Sequence, residues 1–137
     1  MKHTTAKERI LIVEDNAEVM KTFSSLLTSS GYEVSTATYA LPALFRVTSN
    51  PPDLILADLQ MPMMTGMEMI GQLKAHLDTR DIPIVVVTGN GSEESRAAAL
   101  EAGCVGFLTK PVEPEEFLAQ IGIFLQHAKH SRRDSHR

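Results

Sequence analysis

The sequence has little of several features on which many proteins depend. Its 137 residues include one cysteine, no tryptophan and only seven phenylalanine or tyrosine residues. A single cysteine, Cys104, excludes an intrachain disulfide and favours a cytoplasmic location. No apolar run approaches the roughly 18 residues that a membrane span needs, and residues 1–9 are polar without an apolar signal core. We therefore expect a cytoplasmic protein without membrane insertion.

Basic surface is also scarce outside the C-terminus. The chain has 13 Lys and Arg residues against 17 Asp and Glu residues, a net charge of -4. Four basic residues against one aspartate place +3 on residues 127–137, so the rest of the chain carries -7. Binding to nucleic acid needs clustered Lys and Arg to neutralise phosphates. We therefore expect no direct binding of this chain to nucleic acid. The length suits one domain, predicted over residues 8–128 between flexible tails at 1–7 and 129–137.

Aliphatic runs rich in β-branched residues alternate five times with stretches of helical periodicity. This alternation is typical of a parallel sheet with helices on both faces. Asn16, Thr38 and Ser92 are predicted to cap the helices that follow strands one, two and four. We predict an α/β fold with a doubly wound five-stranded parallel sheet of order 2-1-3-4-5. The predicted strands are 10–13, 32–35, 53–57, 84–87 and 105–108.

The predicted helices carry their apolar residues at helical spacing. The second contains Leu41, Leu44, Phe45 and Val47, the third has Met67, Ile70, Leu73 and Leu77 on one face, and the last buries Phe117, Ile121, Phe124 and Leu125.

Polar side chains follow the ends of four of the predicted strands. They are Glu14 and Asp15, Asp58, Thr88, and Lys110. Ligands bind beyond the carboxyl ends of the strands in an open parallel sheet, so these side chains should converge on one crevice. Three carboxylates repel one another unless a cation shares their site. Hard oxygen ligands favour Mg²⁺, with Mn²⁺ as the alternative, over zinc. Such a site suits a phosphoryl group, and a carboxylate can be the nucleophile.

Four blocks of sequence together resemble the receiver domain of two-component response regulators. They are ILIVEDN at 10–16, DLILADLQMPMMTG at 53–66, PIVVVTG at 83–89 and GFLTKPV at 106–112. The resemblance covers about residues 8–128, the whole predicted domain. It implies a flavodoxin-like (βα)5 fold and a signalling module in a phosphorelay, rather than an enzyme with a separate substrate.

The resemblance also implies roles for the residues at the strand ends. Asp58 would accept a phosphoryl group from a sensor histidine kinase or a histidine phosphotransfer protein. Asp15, Asp58 and the backbone carbonyl of Gln60 would bind Mg²⁺ directly, and Glu14 would act mainly through metal-bound water. Lys110 would pair with a phosphoryl oxygen.

A two-state switch is the output that the resemblance implies. Thr88 would move to bind the phosphoryl group, and Phe107 stands at the aromatic switch position, where Tyr is commoner. Their movement would change the surface of helix four, strand five and helix five, and so control a downstream protein. The Lys110-Pro111 bond is expected to be cis. A surplus of apolar residues on the last helix indicates a partner face and a phosphorylation-dependent homodimer, its residues being Leu118, Gly122 and Ile123.

Three alternatives stay open on the sequence alone. The chain could be a receiver excised from a hybrid kinase or a larger regulator, or a degenerate receiver that acts only as an interaction scaffold. The third is a haloacid-dehalogenase-like phosphatase, which also uses an aspartate nucleophile, Mg²⁺ and a lysine. That family places an Asp-x-Asp pair after its first strand, where this chain has Glu14-Asp15-Asn16.

Overall fold

Strands and helices alternate along the chain, as the hydrophobic pattern predicts. The computed structural model describes the backbone of residues 7–135 and the side chains of residues 7–128. The strands are β1 Arg9–Val13, β2 Glu33–Ala37, β3 Leu54–Ala57, β4 Ile84–Thr88 and β5 Gly106–Thr109. The helices are α1 Ala17–Ser29, α2 Ala40–Ser49, α3 Gly66–Ala75, α4 Glu93–Ala102 and α5 Pro114–Ser135.

The five strands form one parallel sheet in the order β2-β1-β3-β4-β5, which confirms the prediction. Val13 lies beside Ala37 on one side and Ala57 on the other. Thr88 lies beside Thr109. The carboxyl ends of β1, β3, β4 and β5 therefore meet at one edge, and the residues that follow them are brought together.

The sheet separates two hydrophobic cores. One face is covered by α2, α3 and α4, and the other by α1 and α5. The β1, β3 and β4 strands are buried on both faces, which explains their continuous aliphatic sequences. On the second face, the rings of Phe23 in α1 and Phe117 in α5 stack with centroids 4.7 Å apart.

The helix starts agree with two of the three predicted caps. Asn16 accepts hydrogen bonds from the backbone of Glu18 and Val19 at the start of α1, and Ser92 caps α4. The prediction for Thr38 is wrong. Tyr39 holds the N-cap position of α2, and within the described part of the chain its side chain makes no capping hydrogen bond.

Some large apolar residues of the predicted second and third helices are exposed. Small residues of α2, Ala40 and Ala43, face the sheet together with Val47. Leu41 and Phe45 lie on the other side of α2 and are 60% and 76% exposed. The predicted inclusion of Leu77 in the apolar face of the third helix is wrong, because α3 ends at Ala75 and Leu77 is 74% exposed.

The last helix buries Phe117, Ile121 and Leu125 as predicted, whereas Phe124 is partly buried and covers Gly106 of β5. The backbone of α5 continues helical to Ser135, through positions that the sequence analysis assigned to a tail. The other tail positions, 1–6 and 136–137, lie outside the described residues. Among the described residues, no helix has both the length and the apolar character that crossing a membrane requires.

Candidate functional site

A cleft at the carboxyl edge of the sheet gathers the residues singled out from the sequence. Main-chain hydrogen bonds between neighbouring strands continue one residue past the strand ends. Glu14 N donates to Ala37 O at 3.1 Å, and Asp58 N donates to Val13 O at 3.1 Å. Lys110 N donates to the carbonyl of Thr88 at 2.9 Å. The sheet itself therefore fixes the backbone of these residues.

Lys110 joins two buried carboxylates at the centre of the cleft. Its Nζ atom lies 2.9 Å from Glu14 Oε1 and 2.8 Å from Asp58 Oδ2. Glu14 is 3% exposed and Asp58 is 6% exposed. Backbone amides hold the other oxygens, since Asn16 N donates to Glu14 Oε2 at 3.1 Å and Gln60 N donates to Asp58 Oδ1 at 3.0 Å. Both carboxylates are thus oriented from two sides.

The electrostatics of the cleft reflect burial and shared charge. Burial and the nearby charge of Asp58 raise the pKa of Glu14, against the lowering effect of its hydrogen bonds to Lys110 and Asn16. Burial lowers the pKa of Lys110, but the hydrogen bonds that Lys110 donates to Asp58 and Glu14, together with the charges of these carboxylates, outweigh burial, and the net pKa is raised. Lys110 is therefore held as a cation between its partners.

Asp15 completes an acidic cluster with these two carboxylates. Glu14, Asp15 and Asp58 each offer an oxygen, and the three oxygens lie within 4.8 Å of one another. Asp15 is exposed, which leaves the cluster open to solvent on its side. Three clustered carboxylate oxygens next to an opening fit a hard divalent cation such as Mg²⁺. Gln60 also lies beside the cleft, where its backbone amide donates a hydrogen bond to Asp58 Oδ1.

The two predicted switch residues lie on adjacent strands. Thr88, at the end of β4, is fully buried, and its Oγ1 accepts a hydrogen bond from Asn90 N at 3.3 Å. Phe107, on β5, is 9% exposed and belongs to the same core as Ala99 of α4. The predicted cis bond between Lys110 and Pro111 is confirmed.

Two backbone amides and a glycine, to which the sequence analysis gave no part in holding the carboxylates, help to build the site. The backbone amides of Asn16 and Gln60 bind the carboxylates of Glu14 and Asp58. Such backbone contacts cannot be recognised from the type of residue at a position. Gly66, at the start of α3, lies against the backbone of Asp58 and Leu59, where a side chain would collide. A glycine at the first position of a helix is the sequence signal that could have indicated this close approach.

The predicted partner face on α5 is only partly exposed. Ile123 is 50% exposed, whereas Leu118 is half-buried against the second core. A side chain added at Gly122 would meet no described atom within 4 Å. Of the three residues, Ile123 alone offers a large exposed apolar surface.

Comparison with known proteins gives consistent matches over most of the chain. Residues 10–122 match the sequence family described as the response regulator receiver domain. The phosphate regulon transcriptional regulatory protein PhoB of Escherichia coli (strain K12) is 38% identical over 113 residues, which make up 82% of this chain and 49% of PhoB. This chain spans about half the length of the curated relatives that it matches.

Solved structures agree with the sequence match. A CheY-like receiver domain protein from Methanospirillum hungatei JF-1 is 31% identical with a TM-score of 0.85, covering 92% of this chain and 99% of that chain. The receiver domain of the sensor histidine kinase PA1611 from Pseudomonas aeruginosa PAO1 is 27% identical with a TM-score of 0.82, covering 88% and 99%. That structure has a magnesium ion coordinated in its active-site cleft.

Proposed function

Because this chain belongs to the response regulator receiver domain family, we propose that it is a phosphorylation-controlled switch in which Asp58 accepts a phosphoryl group. The contact of Lys110 Nζ with both Asp58 and Glu14, beside the opening at Asp15, is the observation that carries the proposal. Receiver domains are partners of histidine kinases. The donor would be a phosphohistidine on a sensor histidine kinase or a histidine phosphotransfer protein.

Asp58 has the surroundings that a carboxylate nucleophile needs. Its Oδ1 is held by Gln60 N and its Oδ2 by Lys110, so the group is fixed in position before a donor arrives. In the transfer, a carboxylate oxygen of Asp58 forms a bond to phosphorus while the P–N bond of the phosphohistidine breaks. The electron pair of that bond stays on the imidazole nitrogen, and Asp58 becomes an acyl phosphate.

The residues around Asp58 fit a bound Mg²⁺ ion, with Mn²⁺ as a substitute. Asp15, Asp58 and the backbone carbonyl of Gln60 would hold it directly, and Glu14 would hold it through bound water. When bound, the ion offsets the negative charge of the carboxylates and of the phosphoryl oxygens. The magnesium in the cleft of the PA1611 receiver domain supports this assignment.

Lys110 and Thr88 would bind the phosphoryl oxygens. Lys110 provides a cation held at the cleft by two carboxylates, and the Thr88 hydroxyl can turn from Asn90 N towards the new group. A phosphoryl group adds about -1.5 to -2 charge and strong acceptor oxygens. Movement of Thr88 changes the space beside Phe107, and through it the surface formed by α4, β5 and α5.

That surface would control a downstream protein, or join two copies in a phosphorylation-dependent homodimer, in the cytoplasm. The protein would act on no separate substrate, since its chemistry is limited to its own phosphorylation and dephosphorylation. The degenerate scaffold and the haloacid-dehalogenase-like phosphatase would differ from this proposal in measurable ways. The scaffold would take up no phosphoryl group, and the phosphatase would release phosphate from a small ester over many turnovers.

Intact mass spectrometry tests the proposal. We expect the full chain to gain one phosphoryl group after incubation with acetyl phosphate or phosphoramidate and Mg²⁺. The gain should be lost with EDTA and in Asp58→Asn. Asp81→Asn is the matched control, because Asp81 is an exposed aspartate outside the cleft, and this variant should be phosphorylated like the wild type.

Two outcomes would overturn the assignment. Phosphorylation that persists in Asp58→Asn would place the acceptor on another residue. No gain in mass, under conditions where titration calorimetry shows Mg²⁺ binding, would favour the interaction scaffold.

A further inference from the structure

The loop between β4 and α4 contains two exposed glycines, Gly89 and Gly91. Neither has a positive φ angle. Backbone conformation therefore does not explain glycine at these positions, although glycine costs more conformational entropy on folding than any other residue. The surroundings of the two glycines differ. A side chain added at Gly89 would meet no described atom within 4 Å, whereas one added at Gly91 would collide with Thr109 of β5.

Gly91 lies directly on the side chain of Thr109. A Cβ atom at Gly91 would be 2.6 Å from Thr109 Oγ1 and 2.7 Å from Thr109 Cγ2. These two branch atoms occupy two of the three staggered positions around the Thr109 side chain. Every staggered rotamer of Thr109 fills at least one of the same two positions, so rotation cannot remove the collision. Glycine is what lets the loop lie this close to β5.

The contact with Thr109 holds the loop next to the Thr88 hydroxyl. Thr109 is the partner of Thr88 in the pairing of β4 with β5. Between Thr88 and Gly91, the backbone amide of Asn90 donates a hydrogen bond to Thr88 Oγ1 at 3.3 Å. Asn90 Oδ1 accepts a hydrogen bond from the backbone of Ser92, the N-cap residue of α4. Asn90 is therefore held between the sheet and the start of α4.

The hydrogen bond between Asn90 N and Thr88 Oγ1 depends on this close fit. Its length of 3.3 Å is already beyond the usual range for an N–H donor and an oxygen. An added Cβ atom at Gly91 would have to move from 2.6 Å to the 3.4 Å of ordinary van der Waals contact with Thr109. A displacement of that size in the loop is enough to break the bond at Asn90.

We propose that Gly91, seated on Thr109, is a positioning residue that keeps the Thr88 hydroxyl bonded to Asn90 N until a phosphoryl group is bound. This inference rests on the proposed function, in which Thr88 turns from Asn90 N towards the phosphoryl oxygens. Because that turn breaks the hydrogen bond, the close fit of the loop on β5 favours the unphosphorylated form. A loop raised from β5 leaves the hydroxyl free to turn.

Nuclear magnetic resonance of Gly91→Ala tests the inference without any phosphoryl group. Three-bond couplings from the backbone nitrogen and carbonyl carbon to Thr88 Cγ2 report the side-chain rotamer of Thr88. We expect the rotamer bonded to Asn90 N to dominate in the wild type, and the other rotamers to rise about fivefold relative to it in Gly91→Ala. Gly89→Ala is the matched control. It adds the same methyl group to the same loop without a collision, and its couplings should equal those of the wild type.

Substitutions at Thr109 separate the contact from other effects of Gly91→Ala. Thr109→Ala removes both colliding atoms and leaves only its Cβ atom, 3.2 Å from the added one. In the background of Gly91→Ala it should restore the wild-type couplings of Thr88. Thr109→Val also removes the hydroxyl but keeps two branch atoms, so it should restore nothing. Circular dichroism and urea denaturation confirm that each variant is folded.

Beryllofluoride, a mimic of the phosphoryl group on an aspartate, connects the loop to the switch. Gly91→Ala has already lost the hydrogen bond that Thr88 must break. We therefore expect this variant to bind beryllofluoride with Mg²⁺ about fivefold more tightly than the wild type in titration calorimetry. Adding Thr109→Ala should return the affinity to that of the wild type. If the wild type takes up neither beryllofluoride nor a phosphoryl group, the proposed function fails, while the couplings of Thr88 still test the contact.

Four results would overturn the inference. The first two are couplings of Thr88 that are the same in Gly91→Ala and the wild type, and an equal change of these couplings in Gly89→Ala. The third is restoration by Thr109→Val as complete as that by Thr109→Ala. The fourth is equal affinity of Gly91→Ala and the wild type for beryllofluoride, because the seat of the loop would then have no effect on the switch.

Discussion

At the scale of single residues, Lys110 holds together two carboxylates that would otherwise repel each other. Glu14 and Asp58 are almost fully buried, and Lys110 Nζ lies within 3 Å of an oxygen of each. Removing one partner from a buried ion pair leaves a charge without compensation, which costs more than the pair itself contributes. The stability of the fold and the arrangement of the two carboxylates therefore depend on the same lysine.

We expect Lys110→Met to lower the free energy of unfolding by about 2 kcal/mol without divalent ions. The loss is smaller than for a fully buried pair, because the Lys110 side chain is 20% exposed. Urea denaturation measures it. Adding Glu14→Gln should restore part of the stability, since one of the two stranded charges is removed.

Lys21→Met, at an exposed lysine of α1, controls for the loss of a surface charge and should change the unfolding free energy by less than about 0.5 kcal/mol. Equal stability of Lys110→Met and the wild type would mean that Lys110 does not stabilise the carboxylates.

The meeting of these positions at one edge of the sheet could be predicted from the sequence, because each position follows a recognisable strand. Asp58 follows the last residue of β3, and Lys110 follows the last residue of β5. Parallel strands bring such positions to the same edge of the sheet. The amides of Asn16 and Gln60 could not be predicted in the same way. Every residue except proline has an amide, so its use depends on the path of the backbone.

At the scale of elements, α2 differs most from its sequence-based description. The prediction counted large apolar residues, but α2 packs through Ala40, Ala43 and Val47. These positions share one side of a helix, and small side chains there let the helix approach the sheet closely. Leu41 and Phe45 then fall on the outer side. Hydrophobic spacing shows that a helix forms, but which of two apolar sides meets the sheet depends on residue size.

The caps of two helices provide a test at this scale. Ser92→Ala should lower the free energy of unfolding by about 1 kcal/mol, because Ser92 Oγ accepts a hydrogen bond from Ser95 N at 3.1 Å. Thr38→Ala should change it by less than about 0.5 kcal/mol, since Tyr39 rather than Thr38 holds the N-cap position. Thermal and urea denaturation check both values. A cost for Thr38→Ala that equals that of Ser92→Ala would restore the cap predicted from the sequence.

At the scale of the whole molecule, the strand order was predictable and the limits of the elements were less so. Five alternations of strand and helix favour a doubly wound sheet, and the structure has that sheet. The second strand lies at 33–37 rather than 32–35, and the fifth starts after Val105, which is 47% exposed. Edge strands are buried on fewer sides, so their limits leave a weaker trace in the sequence.

Stability against pH is a property of the whole molecule to which Cys104 contributes. Burial raises the pKa of its thiol above the ordinary value of 9.0, although the charges of Lys74 and Arg96 oppose this. Above about pH 9, the unfolded chain loses the thiol proton while the folded chain keeps it. The contribution of Cys104 to stability is therefore complete below this pH and is lost as the pH rises.

We expect the wild type to lose stability relative to Cys104→Ala as the pH increases from about 8 to about 10. Urea denaturation of both proteins at each pH gives the difference. Burial lowers the pKa of Lys74, so the contribution of Lys74 makes stability rise with pH, opposite to that of Cys104. Because Lys74 is present in both proteins, its contribution cancels in the difference between them. A difference that stays constant across this range would show that the thiol titrates alike in the folded and unfolded chains.

The sheet hydrogen bonds that continue past the strand ends set the way in which the cleft can respond. The amides of Glu14, Asp58 and Lys110 are bonded to neighbouring strands, so the backbone of these three residues is continuous with the hydrogen-bonded sheet. Moving any of them apart would mean opening the sheet. Any response to a bound group therefore falls to side-chain rotation and to the loops beyond, while the sheet serves as a rigid frame.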